Sequence, residues 1–291
     1  MYEMIKRLAY AVDCGGITAA AEKLCISQPA VTKSLIQLEE HFGAELLIRG
    51  KKGVTPTEYG EIVYRLAKLM EKSIDDVTEE IGIKKARKRS KLNIGAGLLW
   101  SYVYLPDAIN SMTERNHDLD IEVILRPPLE LHNMVSDGRL DMAVGVMPEE
   151  RHSGIIYEDL LINKHAIFAH HSHPLTSKNK ISDTDLRNCH WVVFAFTGKE
   201  TVTASSDPSD YNETKLSNLL LACLLLQKGS HVMRLPLPLA PLLKQFGIEL
   251  IQHKPSEVEF VSGIFYSESA LLKSNSLDVI KEIRNMGLNA K

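Results

Sequence analysis

Between Ser27 and Ser34 the chain gathers an amide, three hydroxyls and an ammonium around one proline: Ser27-Gln28-Pro29-Ala30-Val31-Thr32-Lys33-Ser34. A glutamine can bond an adenine edge, and a lysine can reach guanine or phosphate. Such chemistry needs a rigid carrier. Ser27 is placed to cap a helix, and Pro29 falls in its first turn, where a missing N–H costs little. Val31, Leu35, Leu38 and Phe42 recur in steps of four, three and four, a stripe that predicts burial. The far side then carries Pro29, Lys33 and Ile36, with Gln28 and Thr32 near its edges. A shorter helix from Thr18 to Leu24 precedes it, with Thr18 as its N-cap and Ala19, Ala20 and Ala21 allowing close approach. Two readings fit the pattern. One is a helix-turn-helix whose second helix enters the major groove; the other is a helical hairpin with a solvated polar face.

Other chemistry finds little support. There is no GxSxG elbow, P-loop, GxGxxG or HExxH. His165, His170, His171 and His173 crowd one segment, but no Cys or carboxylate stands at ligand spacing beside them, so no metal and no cofactor is expected. Asp137 and Asp141 can be posed as an acid/base pair. Cys14, Cys25, Cys189 and Cys223 form no CxxC, and neither Cys189 nor Cys223 has basic neighbours to lower its thiol pKa. The chain is not expected to be an enzyme.

The elements that must position the polar helix follow from periodicity. Residues 2–14 read as a first helix, ended by Gly15-Gly16. After Gly43, Leu46-Leu47-Ile48 leads into Arg49-Gly50-Lys51-Lys52-Gly53-Val54, two short strands around a basic tip, a β-wing able to meet phosphates. From Thr57 to Ile83 one long helix carries Tyr59, Val63, Leu66, Met70, Ile74, Val77 and Ile81 on a single apolar stripe that needs a partner. Residues 84–91 hold six positive charges and make a solvated hinge. Beyond it strands alternate with helices: strands at Leu92–Gly95, Asp120–Leu125, Met142–Val146, Ala166–His170 and Trp191–Phe194, helices at Leu105–Arg115, Glu130–Asp137 and Lys215–Gln227. The chain returns near Ile264–Tyr266 and closes with a helix at Ser276–Met286. This predicts a parallel sheet with helices on both faces, divided into two lobes around a cleft.

The 291 residues suffice for two or three domains, and 44% hydrophobic with 24% charged residues suits a soluble globular protein. No apolar run reaches membrane-spanning length, and the N-terminus lacks signal-peptide architecture, so a cytoplasmic location is expected. The net charge of −3 divides unevenly, +3 over residues 1–91 and −6 beyond.

A resemblance sharpens these readings. Ala20-Ala21-Glu22-Lys23-Leu24, Ile26 through Thr32, Leu38-Glu39, Leu46 through Arg49, and Gly53 through Gly60 keep the order and spacing of the N-terminal domain of LysR-type transcriptional regulators. Gly138 through Gly145 and His173-Pro174-Leu175 resemble that family's later signatures. Leu47 stands where the family usually has Phe, and Pro56 where it usually has Leu. The resemblance implies an α+β multidomain fold. A winged helix-turn-helix would fill residues 1–58, a dimerising linker helix and hinge 59–91, and a two-lobed α/β effector domain, like periplasmic binding proteins, 92–291. Lobe I would take about 92–162 and 264–291, and lobe II about 163–263.

By that resemblance Gln28, Pro29, Thr32 and Lys33 face bases, while Thr18, Ser27, Ser34, Arg49, Lys51 and Lys52 hold phosphates or the wing's groove. The cleft loops supply Gly97, Leu98, Leu99, Trp100 and Ser101, then Arg126 and Pro128, Val146 and Met147, and Phe194, Phe196 and Thr197. Relatives often hold a carboxylate with small hydroxyl residues in the first two loops. Here those positions are apolar, which points to a larger, more apolar or differently anchored effector, an aromatic compound included. His231 replaces a glycine expected in the second lobe. The implied partners are double-stranded DNA carrying an inverted-repeat operator, a small-molecule effector, a second copy in a homodimer or further copies in a homotetramer, and RNA polymerase. The rival reading is a small-molecule binding protein whose helical N-terminus only dimerises.

Overall fold

Three helices meet in the first core because each sets its apolar residues on one face. In α1 (Tyr2–Asp13) these are Ile5, Leu8, Ala9 and Ala11; in α2 (Ile17–Lys23), Ala20 and Ala21; in α3 (Gln28–Phe42), Val31, Leu35 and Leu38. The structure is a computed structural model and describes residues 1–50, 53–86, 90–152, 154–195, 212–251, 259–273 and 275–289. Two local expectations change. Gly16, with extended backbone, precedes α2, so Thr18 lies exposed in the first turn instead of capping it. Phe42 is 44% exposed, because the core beneath α3 ends at Leu38 and Gly43 turns the chain away in the left-handed conformation.

Strands β1 (Leu47–Gly50) and β2 (Gly53–Pro56) pair antiparallel to form the wing, with Arg49 opposite Val54. The wing is held from two sides. The Val54 N–H donates to the Gly15 carbonyl at 3.0 Å, and a Cβ on Gly53, whose φ is +113°, would stand 2.3 Å from that oxygen. From the other side, the Glu39 carboxylate of α3 accepts the Leu46 and Leu47 N–H groups at 3.0 and 3.2 Å.

Helix α4 (Glu58–Ala86) runs for 29 residues. Its first turns bury Val63 and Ala67 in the same core, and Tyr64 and Lys68 both donate to Asp13 at 2.6 Å. Of the predicted apolar stripe only Val63 is buried and Met70 half-buried; Tyr59, Leu66, Ile74, Val77 and Ile81 stay exposed. Farther along, α4 lies on the C-terminal domain through a desolvated quartet. Lys72 contacts Asp76 at 2.7 Å and Asp141 at 3.1 Å, while Lys273 contacts Asp141 at 2.9 Å and Asp76 at 3.5 Å.

The C-terminal domain is built on one nine-stranded sheet. It comprises β3 (Ser90–Ala96), β4 (Leu119–Leu125), β5 (Met142–Val146), β6 (Ile155–His170), β7 (His190–Phe194), β8 (Asn212–Leu216), β9 (His231–Pro236), β10 (Ile248–Leu250) and β11 (Glu259–Ser267). The order is β4-β3-β5-β11-β6-β9-β7-β8, with β10 on β6. The pairs β3–β4 and β3–β5 are parallel, as a parallel sheet requires, and so are β7–β8 and β7–β9, whose strands β8 and β9 the sequence had not marked; β11 and β6 run antiparallel to each other and to their other neighbours. These two strands cross between the lobes. Helices α5 (Leu105–Arg115) and α10 (Ser276–Asn289) cover one face of lobe I, and α6 (Pro128–Ser136) the other. In lobe II, α8 (Leu219–Leu226) and α9 (Ala240–Lys244) lie on one face, and α7 (Asp183–Arg187) on the other. The expected helix from Lys215 begins only at Leu219: residues 212–216 pair with β7, and Asn218 caps α8 by accepting the Leu221 N–H at 3.0 Å.

Asp141 is fully buried and also accepts the Asn93 N–H at 2.8 Å, so its removal takes one carboxylate partner from each of two lysines and the acceptor from a backbone amide. Asp141→Ala should cost about 3–5 kcal/mol of stability, read as a lowered midpoint in chemical denaturation followed by circular dichroism.

Candidate functional site

Two surfaces collect the residues singled out by the sequence. The first is the outer face of α3. Gln28, Pro29 and Lys33 are exposed there, Thr32 is half-buried, and Ile36, Gln37 and Glu40 continue the same open groove. Thr32 Oγ1 donates to the Gln28 carbonyl at 3.1 Å, and Gln28 Nε2 donates to that hydroxyl at 3.3 Å. One N–H and the carbonyl oxygen of the Gln28 amide remain for an outside partner. Thr18 and Ser27 are exposed nearby; Ser27 occupies the N-cap position without a side-chain bond to the helix.

Ser34 does not belong to this face. It is 4% exposed, its hydroxyl donates to the Ala30 carbonyl at 3.0 Å, and the Arg7 guanidinium of α1 donates to it. It ties helices together. Arg49 is exposed on the wing, with its guanidinium 3.3 Å from Glu39. Lys51 and Lys52 lie outside the described residues, as do Arg87, Lys88 and Arg89 of the expected basic hinge, whose ends are not loop: Lys84 and Lys85 continue α4, and Lys91 stands in β3.

The second surface is the cleft between lobes, a cavity of about 290 Å³. Gly97, Leu98, Leu99 and Trp100 form one wall, Arg126 and Pro128 another, and Val146 and Phe194 reach in from β5 and β7. From Leu98 the chain is helical, passing through a π turn at Trp100–Tyr104 into α5. The Gly97 N–H is already committed to the Val144 carbonyl at 2.8 Å. Ser101 and Met147 are not among the lining side chains. The Ser101 hydroxyl is buried beneath the π turn, and Met147 packs on the Leu131, Val135 and Phe265 cluster behind the cleft. Phe196 and Thr197 lie outside the described residues.

Among the cleft residues that escaped the sequence reading, His165, Arg234, Phe260 and Ser262 bring ring and polar groups. They sit on the crossing strands β6 and β11 and on β9, where no loop or glycine signal marks them. His165 stacks on Phe260 with centroids 4.7 Å apart, and burial, then the Arg234 charge, pushes its imidazole down to about 4. Ser262 Oγ accepts from Trp100 Nε1 and Asn163 Nδ2, both at 3.2 Å, which leaves its own hydrogen as a donor. Arg126 keeps one side on Glu130 at 3.1 Å. The cleft thus combines aromatic and aliphatic walls with hydrogen-bond donors and two guanidinium groups. Its lining includes no carboxylate among the described residues.

The other candidates separate. His173 accepts the Leu175 N–H and His170 bonds Ser172, and no group of three or more His, Cys, Asp and Glu is placed to hold a metal ion among the described residues. Asp137 pairs with Arg139 at 2.8 Å, while Asp141 is locked in the buried quartet. Cys189 and Cys223 are buried in different clusters, and burial raises both thiols, Cys223 to about 11.

Comparison with known proteins agrees with this arrangement. The family described as bacterial regulatory helix-turn-helix protein, lysR family, matches residues 3–61, and the LysR substrate binding domain matches residues 85–281. The HTH-type transcriptional regulator CysL of Bacillus subtilis is 28% identical over 192 residues, 66% of this chain and 64% of its own length. The nitrogen assimilation regulatory protein nac of Klebsiella aerogenes is 33% identical over 164 residues, 54% of this chain and 52% of its own. The matched stretches therefore span less than two thirds of these relatives. Among solved structures, full-length LysG of Corynebacterium glutamicum with bound effector Arg superposes with a TM-score of 0.72 at 16% identity, over 99% of this chain and 98% of that one. ArgP of Mycobacterium tuberculosis gives 0.69 at 16% identity, over 98% and 96%.

The neutral state of His165 makes stability depend on pH. Burial also pushes His132 down to about 4. Between about 6.5 and about 4 the unfolded chain binds protons at these imidazoles and the folded chain does not. Stability should fall as pH drops through that window. His165→Asn should reduce the slope, measured by urea unfolding across the range.

Proposed function

This chain belongs to the LysR family of bacterial helix-turn-helix regulators, and from that premise we propose that it is a sequence-specific, DNA-binding transcriptional regulator controlled by a small molecule in its interlobe cleft. The observation that carries the proposal is the division of α3. Val31, Leu35 and Leu38 anchor it in the core, while Gln28, Pro29, Thr32 and Lys33 stand outward on one face. Gln28 and Lys33 read base edges, and Thr18, Ser27 and Arg49, with Lys51 and Lys52 at the wing tip, meet the backbone. Residues 1–58 serve as the DNA-binding domain, 59–91 as linker, and 92–291 as effector domain.

The exposed stripe of α4 calls for a second copy. Tyr59, Leu66, Ile74, Val77 and Ile81 present apolar area along some six turns of helix, and pairing with the same stripe of a partner subunit buries it. Such a dimer reads a dyad-symmetric operator. The exposed Leu220, Leu221 and Leu224 of α8 offer a second apolar face, which supports association of dimers into tetramers. The protein works where chromosomal DNA and RNA polymerase are found, in the bacterial cytoplasm.

The cleft is fitted to an effector with an apolar, flat body between Phe194, Phe260 and Trp100 and an acceptor-rich or anionic end toward Arg234, Arg126 and the Ser262 hydroxyl. Its binding shifts the protein between arrangements only to the extent that it binds one better than the other.

Lys33→Ala should weaken binding to an operator selected from genomic fragments, lower the steepness of the salt dependence by about one counterion, and leave the melting temperature unchanged. A variant that bound as tightly as the parent would overturn the assignment of α3. For the cleft, Arg234→Met should weaken binding of an anionic effector about tenfold or more while leaving the fold intact, measured by isothermal titration calorimetry.

A further inference from the structure

We infer that Ile36 is a specificity-determining residue of the recognition helix, seating the C5 methyl group of a thymine in each operator half-site. The inference rests on the DNA-binding reading of α3. Ile36 is a large aliphatic side chain, 44% exposed, on the very face that carries the polar readers. At 100° per residue it lies within about 20° of Pro29 and one turn beyond Thr32 and Lys33. It lines the same open groove as Gln28, Pro29, Thr32 and Lys33.

The polar atoms around Ile36 leave an apolar strip. The Thr32 hydroxyl donates to the Gln28 carbonyl and receives the Gln28 amide, so its polar atom is engaged within the helix. Pro29 has no N–H to offer. Pro29 and Ile36 thus put a hydrocarbon line on the groove beside the free half of the Gln28 amide. One turn beyond Ile36, Glu40 on the same groove places a carboxylate that disfavours approach of a phosphate. That leaves the base edges as the partner of Ile36, not the backbone.

Only one of the four base pairs' major-groove features is hydrocarbon, the thymine C5 methyl. The free N–H and oxygen of Gln28 suit the N7 and N6 edge of adenine, so an A·T step satisfies the amide and the hydrocarbon line together. A serine, arginine or lysine at position 36 would read a different base or none. The isoleucine therefore selects for thymine by apolar contact, and it disfavours cytosine, whose exocyclic amine would lose a hydrogen-bond partner against it.

The test uses the full-length protein and a duplex that it selects from a random pool. Each thymine is replaced singly by deoxyuridine, which removes only the methyl group, and binding is measured for the parent protein, Ile36→Ala and Ile36→Val. At one thymine of each half-site the parent should lose about fourfold in affinity, the value of one buried methyl group. Ile36→Ala should bind the thymine and uracil duplexes equally, and Ile36→Val should keep most of the discrimination. An equal loss in the parent and Ile36→Ala, or no loss at any position, overturns the inference while the DNA-binding reading stands. Failure to select any sequence overturns both.

Discussion

The buried quartet of Lys72, Asp76, Asp141 and Lys273 is the constraint on which the arrangement of the protein depends. Two positive and two negative side chains are held at 2.7–3.5 Å, with Asp76, Asp141 and Lys273 no more than 5% exposed. Each would be costly to desolvate alone, and the set is tolerable only when complete. It therefore specifies a single seating of α4 on lobe I more than it adds net stability. Asp141 reaches in the other direction as well, to the backbone of β3, the strand that leads directly to the cleft loop at Gly97. Asp141 thus touches both the seating of the long helix and the strand that carries the cleft loop.

At the opposite end of α4 the same economy of contacts governs the DNA-binding domain. Glu39 uses one carboxylate oxygen to hold the N–H groups at the base of the wing and the other to orient Arg49. The wing and the recognition helix are thus one rigid unit, with the turn of Gly15 as its second anchor. Rigidity matters because phosphate contacts fix the register from which base edges are read.

Much of this was legible in the sequence where a helix has a one-sided core. Steps of three and four residues located α1, α3, α4 and α5, and the basic turn between short apolar runs located the wing. The sequence was less informative where tertiary context decided. Ser34 carries the composition of a phosphate contact, yet it faces α1, because the stripe of Val31, Leu35 and Leu38 rotates it inward. The 16-residue strand β6 was visible only at its apolar end. Its middle, with Glu158, Asp159, Asn163 and Lys164, changes its buried face as it passes between lobes, which erases the two-residue alternation. With the middle of β6 and the first part of β11 hidden, the cleft residues His165, Phe260 and Ser262 had no signal that could mark them as part of its wall.

The position of β11 also sets the order in which the chain can fold as it is made. It lies between β5 and β6, so the edge of β5 has no neighbour until residue 259 and beyond have been synthesised. The whole of lobe II is produced in that interval. The N-terminal domain, whose core takes in Val63 and Ala67 from the first turns of α4, is synthesised well before that edge is covered. Closing lobe I therefore waits on a pairing between strands far apart in the chain, β5 with β11, the kind of non-local contact that slows folding.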